Sequence, residues 1–237
     1  MFQLFQDSMA ICRYFGHADL FITMTANPTW REIKDELNPR QTYTDRPNLV
    51  ARVFELKKKA LLQRIRNDGI FENHVAHVWT VEFQKRGLPH VHLILFLKNE
   101  HKLHTPEDIV NMIRADIPDQ TAEPHLYQLV TTHMMHTCSK NRCLDDQNRC
   151  NKNFPKPYWE TTTMSESGYA QVARPDNGRK VIKRGVGSDE GIELTNQHVV
   201  PYCPYLLLEF KCHINVECVH SVKSFKYIHK YIYKGLF

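Results

Sequence analysis

Two periods alternate along the chain. Leu20 to Thr25 is a short, almost continuous apolar run closed by Ala26, Asn27 and Pro28, which predicts a buried strand. From near Asn48 to Arg66 the apolar residues recur at helical spacing and end at Asn67, Asp68 and Gly69, which predicts a helix with its stop signal. Val78 to Leu97 returns to period two on either side of the polar Lys85 to Pro89 segment, and reads as an antiparallel hairpin. Thr105 followed by Pro106 opens a further helix, and another is expected from about Pro124 to His136. Beyond it, Tyr169 to Val186 reads as a hairpin around Pro175, Asp176, Asn177 and Gly178. Tyr205 to Val219 reads as one long strand leading into a terminal helix that starts near Ser221 and stops at Gly235. Interspersed helices and antiparallel strands predict an α+β domain.

The hairpin carries the first candidate chemistry. His90 and His92 are two apart on a strand, so both imidazoles leave the same face while Val91 packs behind them. Glu82 and Gln84 share a face of the preceding strand, and an antiparallel return would set Gln84 near His90 and Glu82 near His92. Two nitrogens with one or two oxygens form an open site suited to a catalytic divalent ion. The alternative is a satisfied, half-buried histidine pair. In the 213–217 run the polar residues His213, Asn215 and Glu217 also alternate, so that face either borders the same site or is hydrogen-bonded and partly exposed.

The second constellation is the last helix. Tyr227 and Tyr231 are four apart and stack on one helical face, with Lys226, Lys230 and Lys234 forming an adjacent basic stripe. Tyr233 falls off that face. A phenol with a pKa of about 10 is a poor nucleophile near neutrality, and using one against phosphate needs nearby cations and a metal. The alternative is an amphipathic helix with core-edge aromatics and solvated lysines.

Cysteines divide into two groups. Cys12, Cys203, Cys212 and Cys218 lie in apolar stretches, whereas His136, Cys138, Cys143 and Cys150 crowd four soft ligands into a polar segment with little to form a core. That segment is a candidate for structural zinc, with His133 as an alternative ligand and a loop of free thiols as the alternative reading. Seven cysteines, an odd number, and no apolar leader predict a reduced intracellular protein. No stretch is apolar for long enough to span a membrane. The net charge of +5, from 31 basic and 26 acidic residues, says little about nucleic acid. Its distribution says more: basic clusters fall at Lys57 to Lys59, at Lys85 and Arg86, from Arg179 to Arg184 and along the tyrosine helix.

A histidine, hydrophobic, histidine strand followed much later by two tyrosines four apart resembles the HUH endonucleases with two tyrosines. The chain is similar to the Rep nuclease domain of Helitron rolling-circle transposases in several blocks. These are Asp19 to Trp30, Arg46 to Phe54, Glu82 to His92, Cys150 to Pro157, the 213–217 run and the tyrosine helix. The resemblance implies a central antiparallel sheet flanked by helices, and an enzyme that nicks and transfers single-stranded DNA at transposon ends and target. It implies that His90 and His92, with a third polar ligand, hold Mg²⁺ or Mn²⁺, and that Tyr227 or Tyr231 forms a 5′-phosphotyrosyl link. Gln84 stands slightly ahead of Glu82 as the third ligand on the expected hairpin geometry. Lys85, Arg86 and the three helix lysines are the expected DNA contacts. Residues 1–132 and 195–237 are expected to form the nuclease core, with 133–194 as an insertion holding the candidate zinc site and a hairpin. No Gly-Lys-Ser or Gly-Lys-Thr loop occurs, so the helicase half of a full transposase is expected to be absent from this chain. Nuclear action is expected if the host is eukaryotic. The rival readings are a catalytically idle DNA-binding module of the same fold and a metal-dependent nuclease using water.

Overall fold

The computed structural model describes residues 14–71, 74–83, 87–103, 105–140, 143–164, 170–184 and 191–219. Gln84, Lys85, Arg86 and the expected terminal helix with Tyr227, Tyr231, Lys226, Lys230 and Lys234 lie outside the described residues.

The chain enters through β1 (Leu20–Thr25), makes a single helical turn α1 (Arg31–Lys34) and then the long helix α2 (Pro47–Asn67). Proline at the first helical position costs no hydrogen bond there, and Gly69, at a φ of 59°, ends the helix in the left-handed region. Val50, Val53, Phe54, Leu61 and Ile65 are buried at the three- and four-residue spacing of one helical face. Next come β2 (His74–Phe83) and β3 (Pro89–Leu97), then α3 (Pro106–Val110), capped by reciprocal bonds between Thr105 and Asp108 as the sequence suggests. The helix α4 (Pro124–Leu129) widens into one π-turn over Val130–Met134. There the Thr131 and Thr132 hydroxyls donate to the Tyr127 and Gln128 carbonyls, taking up acceptors of the regular ladder.

The strands β1, β2 and β3 with β8 (Ile214–Cys218) form one antiparallel sheet in the order β2, β3, β1, β8. Its two faces differ. Leu20, Ile22 and Met24, with Val91, Leu93, Leu95 and Leu97 and with Ile214, Val216 and Cys218, share one apolar cluster with the buried face of α2. Met134, Met135, Val172 and Leu194 from the middle of the chain join it. The opposite face carries a smaller cluster of Ala18, Phe21, Ile94, Phe96 and Val219, and next to it the polar side chains of His92, Thr23 and Asn215. The protein is therefore α+β, with helices packed on an antiparallel sheet. Among the described residues, no helix is long and apolar enough to cross a membrane.

Two sequence expectations are corrected. Tyr205 to Val219 is not one strand: α5 (Pro204–Phe210) comes first, and β8 begins only after Lys211 adopts a left-handed φ of 47°. Short apolar runs do not separate helix from strand, and here proline at the first helical position and burial of Leu206, Leu207 and Phe210 select the helix. Its C-terminal carbonyls are claimed by β1's neighbours: the Trp30 indole donates to Phe210 O at 2.7 Å and the Asn27 amide to Lys211 O at 2.6 Å. The second correction concerns 169–186, whose two halves do not pair with each other among the described residues. β4 (Thr163–Met164) pairs with β5 (Ala170–Gln171), while β6 (Lys180–Arg184) pairs forward with β7 (Gly191–Thr195). The Pro175 to Gly178 turn thus joins two small ladders, because turn chemistry reverses the chain without choosing its partner. Between them Arg174 is buried and donates to the Asn196 and Val199 carbonyls.

The two faces of β3 should respond differently to truncation. Leu93→Ala, in the helix-facing core, is expected to cost about 2–5 kcal/mol in urea denaturation. Thr80→Ala, on the polar face opposite His92, should cost below about 1 kcal/mol. Similar losses for both would contradict the assignment of faces.

Candidate metal centre

Strand pairing builds the site row by row. In the antiparallel pair of β2 and β3, Glu82 lies opposite His90 and Thr80 opposite His92. The sequence expectation of Gln84 opposite His90 and Glu82 opposite His92 is thereby corrected. Phe83 pairs with Pro89, so the connection spans 84–88 in place of the expected 85–89, and this offset of one residue moves the partner of each histidine by two positions. On the other side of β3, Thr25 pairs with His90 and Thr23 with His92, and Thr23 pairs in turn with Asn215 of β8. A single cross-strand row thus runs Thr80, His92, Thr23, Asn215. The 213–217 face therefore does lie on the histidine side of the sheet, with Asn215 two strands from His92.

The side chains converge. Glu82 Oε2 is 3.2 Å from His90 Nε2 and 3.9 Å from His92 Nε2, so both imidazoles present the same nitrogen to one carboxylate oxygen. The three ligand atoms form one of two groups among the described residues compact enough to hold an ion. The His92 ring is oriented from behind by a 3.0 Å hydrogen bond between Nδ1 and the Thr23 hydroxyl, and it stacks on Phe21 at 5.7 Å between centroids. With its other nitrogen engaged, His92 keeps Nε2 toward Glu82. The second oxygen, Glu82 Oε1, is buried without a hydrogen-bond partner among the described residues, as is Asn215 Oδ1. Two imidazoles, a carboxylate and a buried acceptor oxygen suit a divalent cation. Thr23 was not evident in the sequence reading, although its place in the alternation of Phe21, Thr23 and Thr25 is the signal that could have shown it.

Further along the face, His213 donates through Nδ1 to the His133 carbonyl at 2.9 Å, which leaves Nε2 as its basic nitrogen. Burial lowers its pKa; the bond to His133 opposes this, and Lys152 and His90 add to the lowering.

The second group is His136, Cys138, Cys143 and Cys150, whose ligand atoms all lie within 4.8 Å of one another. Backbone contacts bring them together. His136 N donates to His198 O, and Asn151 N to Cys143 O, closing a tight loop in which Leu144 bridges Cys150. His136 Nε2 lies 3.5 Å from Cys143 Sγ and 3.4 Å from Cys150 Sγ. Burial and a hydrogen bond with Cys150 push the Cys138 thiol up to about 12. Burial acts in the same sense on Cys150, but the Phe154 and Lys152 amides that donate to it bring this thiol below its ordinary value.

The fold and its donor sets define an α+β protein with two candidate metal centres. Residues 1–95 match the family model described as the Helitron helicase-like domain at N-terminus. The matched span ends within β3 and takes in Glu82, His90 and His92, but not the thiol group. No curated protein matches the chain.

Several histidines are buried enough to resist protonation. Burial lowers His74, His77, His198 and His213, and burial with the charges of His213 and Lys183 takes His133 down to about 4. Between pH 6.5 and 4 the unfolded chain therefore binds more protons than the folded one, and the stability present above pH 6.5 is lost as pH falls. The urea midpoint should drop from pH 7 to pH 5, and His133→Gln should reduce that drop. A midpoint independent of pH over this range would refute it.

Proposed function

We propose that the protein nicks single-stranded DNA and transfers the cut strand in Helitron transposition. The observation that carries this reading is the convergence of His90 Nε2 and His92 Nε2 on Glu82 within a domain of the Helitron family. Mg²⁺ or Mn²⁺ held by Glu82, His90 and His92, with Gln84 as a further candidate ligand, would supply Lewis-acid polarisation of a scissile phosphate. Thr23 fixes the ring of His92 for that role.

The nucleophile in this reading is Tyr227 or Tyr231, four apart near the end of the chain. The phenol oxygen attacks phosphorus, its proton passing to a base or water. The new bond from phosphorus to the tyrosine oxygen forms as the bond to the 3′-oxygen of the upstream nucleotide breaks, and that oxygen leaves as a free 3′-OH. Attack by a 3′-OH on the phosphotyrosine reverses the step and rejoins DNA with no external energy source. A second tyrosine allows one strand end to be held while another is cut. Lys85, Arg86, Lys226, Lys230 and Lys234 would neutralise phosphates of the bound strand. Residues 1–132 with 195–237 would form the nuclease core around the 133–194 insertion, acting in the nucleus of a eukaryotic host.

The test is a denaturing gel with 5′- and 3′-labelled single-stranded oligonucleotides carrying element-end sequences, in Mn²⁺ or Mg²⁺. Wild type should leave a covalent adduct on the fragment 3′ to the cut. His90→Ala should reduce it by about 100-fold or more, and the Tyr227→Phe, Tyr231→Phe double variant should abolish it while retaining DNA binding. Cleavage without an adduct, unaffected by the tyrosine change, would show water as nucleophile. Binding without cleavage would show an idle module. A finer check is Thr23→Val, which should raise the Mn²⁺ concentration for half-maximal adduct by about tenfold.

A further inference from the structure

The thiol group is built to the dimensions of zinc. A tetrahedral zinc with bonds of about 2.3 Å to sulfur and about 2.0 Å to nitrogen sets nitrogen and sulfur ligands about 3.5 Å apart. The separations from His136 Nε2 to Cys143 and Cys150 Sγ, 3.5 and 3.4 Å, are that edge length. The donor set of one imidazole and three thiols is soft and closed, unlike the mixed nitrogen and oxygen set on the sheet.

The chain leaving Cys150 stays bound to the cluster. Asn153 N donates to Cys150 O at 2.8 Å, and the Phe154 ring stacks on the ligand His136 at 4.2 Å between centroids. The Lys156 ammonium then lies 5.2 Å from the Phe154 ring centroid, and Lys156 N is pinned to Gln197 O at 2.9 Å. Two lysines four residues apart are thus carried on a loop whose shape follows from the cluster. Hydrogen bonds place that loop beside β8. Gln197 O, which holds Lys156 N, and His198 O, which holds His136 N, lead to Pro201 O, which accepts from Val216 N of β8, and the His213 ring at the start of that strand donates to His133 O, three residues before His136. Glu217 accepts from Asn215 at 3.0 Å, and Asn215 lies in the row with Thr23 and His92.

We infer that a zinc ion bound by His136, Cys138, Cys143 and Cys150 fixes the 150–156 loop along β8, and so presents Lys152 and Lys156 as phosphate contacts for single-stranded DNA on the polar face of the sheet. The DNA part rests on the proposed function, but binding is read separately from cleavage, so the two fail independently.

The experiment uses the full chain purified without chelator. Elemental analysis should find about one zinc per chain, retained in a His90→Ala, His92→Ala variant and lost from Cys143→Ser, Cys150→Ser. Fluorescence anisotropy of a labelled oligonucleotide, without added metal, then reads binding over a salt series. Lys152→Ala, Lys156→Ala should keep its zinc, bind about tenfold more weakly and lower the salt slope by about 1 to 1.5. The cysteine variant should lose a similar factor, with no further loss when the lysine changes are added. Should the cysteine variant fail to fold, the lysine variant decides alone, since its zinc site is intact. Wild type without zinc, zinc lost from the His90 and His92 variant in place of the cysteine variant, or unchanged affinity and salt slope in the zinc-loaded lysine variant would overturn the inference.

Discussion

A strand with neighbours on both sides has its backbone satisfied in one plane and its side chains sorted into two environments, and β3 meets both demands with one register. Val91, Leu93, Leu95 and Leu97 go to the helix layer, while His90, His92, Ile94 and Phe96 go to the other face. A slip of one residue would drive both imidazoles into an aliphatic core and expose four aliphatic side chains, each worth roughly 1.5–3 kcal/mol when buried. The hydrophobic layer behind the sheet is therefore what holds the donor set in front of it. The imidazole to carboxylate distances of 3.2 and 3.9 Å are set by a ladder, in which neighbouring strands keep a fixed spacing, and not by the choices of individual rotamers alone.

The two donor groups belong to different regimes of the same fold. Glu82, His90 and His92 stand on regular strands whose core is already buried, and the sheet does not need an ion to form them. The thiol group sits where the chain has turns, bridges and few apolar residues, and backbone contacts such as that of His136 N to His198 O bring its donors within reach of one another. Arg174 performs a related task nearby, filling a buried space with a guanidinium that satisfies two carbonyls which no strand reaches. Such a charge is costly to bury, and burial pulls its pKa down to about 10.

Much of this was legible in the residues, for identifiable reasons. The β1 run is bounded by a proline turn and appears as Leu20–Thr25, and the long helix appears as Pro47–Asn67, within a residue or so of its reading at each end. Both are elements where burial and punctuation agree. The His90 and His92 pair shares a face because the period of a strand leaves no alternative, and the spacing from His136 to Cys150 is short enough for local turns to gather four ligands. What the residues did not reveal was long-range choice. The centre of the β2 to β3 connection decided whether Glu82 or Gln84 opposes His90, and nothing within the turn encodes where that centre falls. Tyr205 to Val219 became helix and then strand because α5 had a core to fill, and β5 and β6 found partners on opposite sides of a turn that looked like the tip of one hairpin.

Glu82 and His90 pair inside the ladder, one rung beyond the Phe83 and Pro89 pair that closes it. The segment between those rungs can therefore gain, lose or exchange residues while the carboxylate stays opposite the same imidazole. Lys85 and Arg86 lie in that segment. Across divergent copies of such a protein, the basic character of this connection is free to drift at its own pace, and the trio of Glu82, His90 and His92 changes only when the sheet itself is re-registered.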